Sequence, residues 1–231
     1  SGNGLAGWGW NVSGLSTISR VSATKYHDEK HDGIDFKDDR FAIDGQRLIL
    51  KSGTYGKSGS VYQTENYSNI KVIAYGTSSH GSDYGPSYFI VYYPTGARAW
   101  YGSHGGSRGR LEWAIYSWED PQGNHVTYNY QNDNGLLSIN NIEYGGRAGG
   151  MAHMNKIKFN YETRTRAENV YVGEYNFKRT NLLKSIVITA NGSQYRKYEL
   201  THDVTSLNYQ RLISVKEYNT QNIALRPITF N

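Results

Sequence analysis

Within DRFAIDGQRLIL, residues 39–50, Asp39 and Asp44 stand beside Arg40 and Arg47. Two carboxylates next to two guanidiniums could serve as a catalytic acid with a charge partner. That chemistry also needs a nucleophile or an oxyanion hole, and nothing in the neighbouring residues fixes either one. The same residues have a structural reading. Asp44-Gly45 lies between Phe41/Ile43 and Leu48–Leu50, the pattern of a hairpin corner between two strands. Arg40 and Arg47 are then expected to tie neighbouring turns together through charge-assisted hydrogen bonds.

Other groups invite similar tests. Asp28, Asp32, Asp35, Asp38 and Asp39 supply enough oxygen ligands for a calcium loop, although their spacing is not that of an EF-hand. His27 and His31 are four apart, as in helical zinc pairs, but DEK between them lacks the glutamate that a His-Glu-x-x-His site requires. No metal and no cofactor is expected. Trp8, Trp10, Trp100, Trp113 and Trp118, with 21 Tyr, could form a platform that stacks on sugars or single-stranded nucleic acid. Aromatic filling between strands is the favoured alternative. Zero Cys removes disulfides, thiolate metal sites and a cysteine nucleophile.

The net charge of +5 comes from 25 basic and 20 acidic residues spread along all 231 positions. A nucleic-acid site would gather them, so no nucleic-acid partner is expected. No apolar run is long enough for a membrane span, and the opening SGNGLAGWGW, without Met, reads as the start of an excised piece of a longer polypeptide.

The elements that must hold these residues read as β throughout. The 26 Gly, with frequent Asn, suit tight turns, and no stretch sustains helical spacing between caps. Trp8, Trp10 and Val12 alternate with polar residues, which predicts one strand carrying both indoles on one face. Residues 21–40 read as a long loop with one short strand. IKVIAYG and SYFIVYYPTGARAWYG supply further strands, with a corner at residues 94–96. Asp120-Pro121-Gln122-Gly123-Asn124 forms a reverse turn between two more, the second carrying Tyr128 and Tyr130. LLKSI and RLISV place Leu183 and Ile186, then Leu212 and Val215, at matching spacing. The expected fold is all-β, built of short antiparallel strands and hairpins in a curved sheet, as an incomplete shell or barrel-like wall. One region spans residues 1–231, with an internal division near 105–110 left open.

Three of these segments together resemble the SpvB-type N-terminal region of Tc toxin B components and related RHS (YD-repeat) proteins. Gly7-Trp8-Gly9-Trp10 leading to Ile18 and Arg20 is similar to the family's opening motif, which ends in Ile-x-Arg. Asp39-Arg40-Phe41 with Asp44-Gly45-Gln46-Arg47-Leu48 looks like its DRF-x-x-DGQRL signature. Asp120, Gly123, Asn124, Tyr128 and Tyr130 resemble one YD repeat, departing from it at Gln131.

The resemblance implies a non-enzymatic structural part of a toxin-like or cell-surface protein, a β-sheet shell that encloses or presents a C-terminal cargo. Its partners would be the remainder of its own parent chain and other toxin-complex components. Exposed strand edges add the expectation of self-association. The location implied is secreted or on a bacterial surface. One relative carries a separate ADP-ribose-transferring domain with a Glu-x-Glu pair, and no two Glu here are two apart. Asp120-Pro121-Gln122-Gly123 is similar to the self-cleaving core at the far end of RHS shells, but its hairpin-like setting favours a turn. The alternative function is a surface module that binds a glycan or protein through exposed aromatics.

Overall fold

The computed structural model describes residues 2–81, 84–104 and 106–230. A two-strand hairpin, β1 (Asn3–Gly4) and β2 (Gly7–Trp8), comes first. It is followed by β3 (Thr17–Val21), the one-turn helix α1 (Lys25–Asp28), β4 (Arg40–Ile43), β5 (Gln46–Ser52), β6 (Val61–Thr64), β7 (Lys71–Tyr75), β8 (Tyr88–Tyr92), β9 (Arg98–Tyr101) and β10 (Glu112–Glu119). The chain then runs through β11 (Asn124–Asp133), β12 (Leu136–Arg147), β13 (Asn155–Val172), β14 (Tyr175–Ala190), β15 (Ser193–Val204), β16 (Gln210–Tyr218) and β17 (Ile228–Thr229).

Strands β3 to β10 pair antiparallel in sequence order, and β10 also pairs with β3, which closes them into an eight-stranded barrel. Strand β10 is the branch point. It carries β9 along one edge, while its other edge takes β3 at Glu112–Ala114 and β11 at Ser117–Glu119. From there β11 to β17 continue as an open antiparallel extension. Inward-pointing residues such as Phe41, Tyr62, Phe89 and Trp113 fill the barrel, as the two-residue period of a strand requires.

The extension buries a row that takes one residue from each of five strands: Ile139, Phe159, Leu183, Leu200 and Leu212. Ile186 and Val215 pack beside that row, so the matching spacing in the two segments marks equivalent places in one core. Residues 2–15 lie across this face as a strap. Leu183 N donates to the Leu5 carbonyl (2.8 Å), and Arg164 donates from Nε to the Asn181 carbonyl (2.8 Å) and from its terminal nitrogens to Asn3 Oδ1 and the Gly4 carbonyl.

Three expectations need correction. Trp8 and Trp10 do not share a strand. Gly7 (φ +114°) and Gly9 (φ +78°) interrupt the extended backbone, and β2 ends at Trp8. The indoles rest on separate rings, Trp8 on Tyr209 (4.3 Å) and Trp10 on Phe230 (4.6 Å). Residues 21–40 contain α1, capped by the Thr24 hydroxyl, which accepts from His27 N, and stopped by Glu29 at φ +58°. Short strands hold for the barrel, whereas β13 runs for 18 residues and β14 for 16.

Candidate functional site

Asp44 (φ +47°) and Gly45 (φ +80°) form the two-residue turn joining β4 to β5, with Ile43 opposite Gln46. Positive φ at both positions is the primed hairpin geometry that Asp-Gly favours. The Asp44 carboxylate also reaches sideways, accepting from Ser16 Oγ (2.6 Å) and Thr17 N (2.9 Å) at the start of β3. It is a corner that clamps its neighbour.

The arginine ending the first motif and the aspartate opening the second meet as a buried ion pair. Arg20 Nη1 donates to Asp39 Oδ2 at 3.1 Å, with both side chains almost fully enclosed. Arg20 further donates to the Arg110 carbonyl (2.9 Å) and the Tyr84 carbonyl (2.6 Å), and its guanidinium sits 5.1 Å from the Trp113 ring centre. Asp39 accepts from the amides of Asp35 (3.2 Å) and Phe36 (3.0 Å). Burial raises the Asp39 carboxyl and lowers the Arg20 guanidinium, each against the opposing charge of its partner.

Arg40 and Arg47 were expected to link turns. Instead both grip one residue of α1: Arg40 Nε donates to Asp28 Oδ1 (2.6 Å) and Arg47 Nη2 to Asp28 Oδ2. Burial pushes the Asp28 carboxyl up, but hydrogen bonds from Arg40 and Thr24 N and the charges of both arginines outweigh it, holding it below the usual carboxylate range. The acidic segment is thus divided among separate partners. Asp28 serves Arg40 and Arg47, Asp39 serves Arg20, Asp35 accepts from Lys37 N (2.9 Å), and Asp32 lies 3.5 Å from Lys30 Nζ. Among the described residues no three metal-ligating side chains gather. His27 pairs with Glu65 (3.0 Å).

Asp120 closes the β10–β11 turn. Its Oδ1 accepts from Gln122 N (2.9 Å) and Asn124 N (2.8 Å), its Oδ2 accepts from the Asn124 side-chain amide (2.6 Å), and Gly123 N donates to its carbonyl (3.0 Å). Tyr128 lies against both cores and Tyr130 against the extension core alone.

Two of the open surfaces carry groups able to hold a ligand. On the outside of the barrel, opposite the inward Ala74, Phe89, Val91 and Ala99, lies an aromatic face. There Tyr75 and Tyr88 stack at 5.2 Å, His104 packs on Tyr116 at 5.2 Å, and a hollow of about 410 Å³ opens beside Trp100 and Glu119. The larger cavity, about 670 Å³, lies where the β9–β10 loop, the β11–β12 turn and the β13–β14 hairpin tip approach one another; Arg108 and Arg110 line it. Sequence reasoning missed both arginines. The signal was present as GGSRGR, residues 105–110, two arginines in a Gly-rich loop.

A closed antiparallel barrel continued from one strand into an open antiparallel sheet defines a class of β-rich, shell-like folds. The fold is that of the SpvB/Tc-toxin-type region. The N-terminal domain of effector protein SpvB from Salmonella typhimurium strain LT2 aligns with TM-score 0.72 and 14% identity, over 100% of this chain and 91% of that one. The TcdB2-TccC3-Cdc42 crystal structure aligns with TM-score 0.78 and 13% identity, and a Photorhabdus luminescens Tc holotoxin pore with 0.77 and 13%; in each the match covers 100% of this chain. The chain spans only 14% of the length of those two Tc chains. No protein-family description matches it, and no curated protein does. Among the described residues no helix is long and apolar enough to cross a membrane.

Proposed function

We propose that this chain is a non-enzymatic wall segment of a larger, exported bacterial toxin-like protein, in which a β-sheet shell encloses or presents a C-terminal cargo. The observation that carries this reading is an alignment over the whole chain with one segment of much longer Tc toxin chains. The architecture supports it. The barrel gives a rigid anchor, and the extension ends at β17, whose two exposed residues leave an edge on which further sheet can grow. The signature residues add to the case, since Arg20, Asp39, Arg40, Asp44 and Arg47 are engaged with one another, α1 or the start of β3. Partners are then the rest of the parent chain and other toxin-complex components.

Limited proteolysis of the full parent polypeptide tests this. A C-terminal segment that survives digestion until denaturant opens the shell is the expected result; digestion of that segment at the same rate as a free control would overturn it.

A second reading, a glycan-binding surface, has one observation in its favour: Tyr88, Trp100 and Tyr116 line a shallow outer hollow with Glu119 and His125 as polar rim. Trp100→Ala abolishing retention on a glycan array would select it. An unchanged null binding profile would leave the aromatic face as a packing surface for neighbouring wall.

A further inference from the structure

We propose that the cavity between the barrel and the β13–β14 hairpin tip binds a phosphate-bearing small molecule, with Arg108 and Arg110 as its principal donors. This goes beyond a wall role and holds independently of it.

The argument begins with charge. Arg20, Arg108 and Arg110 reach the same cavity from β3 and from the loop before β10, and His80 lines it from the β7–β8 loop. Arg20 is neutralised by Asp39, but neither Arg108 nor Arg110 has a carboxylate partner among the described residues. Asp133, next to two residues of the lining, is turned away and accepts from Thr180 N, Thr180 Oγ1 and Asn181 N. Burial, followed by the charges of Arg20 and Arg110, lowers the Arg108 guanidinium to about 9. Cations placed together in a partly enclosed space are costly, and an anion between them relieves both the repulsion and the lost hydration.

Orientation is the second observation. Arg108 lies 3.8 Å from the centre of the Trp113 ring, and Arg110 lies 3.7 Å from that of Tyr175. A guanidinium stacked on a ring keeps its in-plane N–H groups available; Arg108 commits Nη1 to the Gly109 carbonyl, and the remaining donors of the two forks match the oxygens of a phosphate better than point charges would. Both supporting rings are themselves fixed. Trp113 Nε1 donates to the Pro86 carbonyl (3.2 Å), and Tyr175 meets Phe36 edge-on at 5.2 Å. The cavity volume of about 670 Å³ exceeds the needs of a bare ion and falls within the roughly 300–1,000 Å³ of small-molecule sites.

The test is calorimetric titration of the intact chain with pyrophosphate at constant ionic strength, beside inorganic phosphate, citrate and hexaglutamate. Saturable pyrophosphate binding with Kd on the order of 1 mM or tighter is expected. Arg110→Ala should weaken it at least about tenfold and Arg110→Lys by an intermediate factor, with Lys51→Ala unchanged. Arg110 is chosen because Arg108→Ala also removes packing from Trp113; an unchanged melting temperature in Arg110→Ala certifies that the variant is folded. Equal pyrophosphate affinity in wild type and Arg110→Ala, or no saturation, would overturn the proposal. Tighter binding of hexaglutamate than of pyrophosphate would overturn it in favour of an acidic peptide.

Discussion

The barrel wraps strands of four to eight residues around Trp113, Tyr62, Phe41 and Phe89, whereas the extension lays strands of nine to 18 residues, up to the two-residue β17, into an open sheet with a single row of aliphatic and Phe side chains. Closure gives every barrel strand a partner on both edges. The extension instead needs a cover, supplied by residues 2–15 with Ala6, Val12 and Leu15 against the row. The barrel is completed by contiguous sequence and the extension by a segment borrowed from the far end of the chain. This difference separates what depends on local turns from what depends on long-range docking.

The largest effect is expected at the buried pair of the barrel. Asp39→Ala leaves the Arg20 guanidinium enclosed without its carboxylate and should cost about 3–5 kcal/mol in chemical denaturation. Adding Arg20→Met should restore part of that loss; no recovery would mean that the hydrogen bonds of Arg20 to the Arg110 and Tyr84 carbonyls outweigh the ion pair. If Trp113 fluorescence and a probe in the extension shift to the same lower midpoint, the two regions unfold as one unit.

Leu183→Ala should come next, at about 2–5 kcal/mol, because it opens the centre of the extension row beneath the strap. Amide exchange should quicken at residues 4–12 before it does at β4 or β8. Uniform acceleration across both regions would erase the distinction drawn between them.

The smallest effect is a pH dependence of the strap. His202 Nε2–H donates to the Ala6 carbonyl (3.0 Å), and its Nδ1 is buried without a partner among the described residues. Burial lowers its pKa below the ordinary value, with the Ala6 carbonyl opposing. The unfolded chain therefore takes up the proton first. Stability is full above about pH 6.5 and falls as pH drops through the folded value. Protection factors of the strap amides, corrected for the slower intrinsic exchange at low pH, should fall on acidification below about pH 6. His125, whose pKa burial and then the neighbouring His153 also depress, contributes with the same sign, so the comparison is with His202→Gln at each pH. A pH profile identical in that variant would place the effect elsewhere.

Much of the barrel was legible in the residues. Asp44-Gly45 announces its turn because positive φ at two successive positions admits few residue pairs, and the strands around 71–75, 88–92 and 98–101 show clear alternation. The pairing of Arg20 with Asp39 was not legible, since it depends on how residues 22–38 fold back, and polar residues there fix no register. Nor was the gathering of Arg40 and Arg47 on Asp28, because a single helical turn leaves no periodicity to detect. The great length of β13 and β14 was hidden by Tyr, Asn and charged residues on both faces, many of them half-buried. The indole pair misled for a physical reason: alternation suggested a strand, while the intervening glycines broke it.

The strap also sets an order of events during synthesis. Residues 3 and 4 leave the ribosome well before their partner Arg164, which lies 161 and 160 residues later. The barrel, by contrast, is complete once Glu119 has emerged. Nascent chains can therefore hold a finished barrel while residues 2–15, with Trp8 and Trp10, wait undocked for β13 to β17. Long-range closure of this kind is slow, and the waiting period is when a chaperone would have its opportunity.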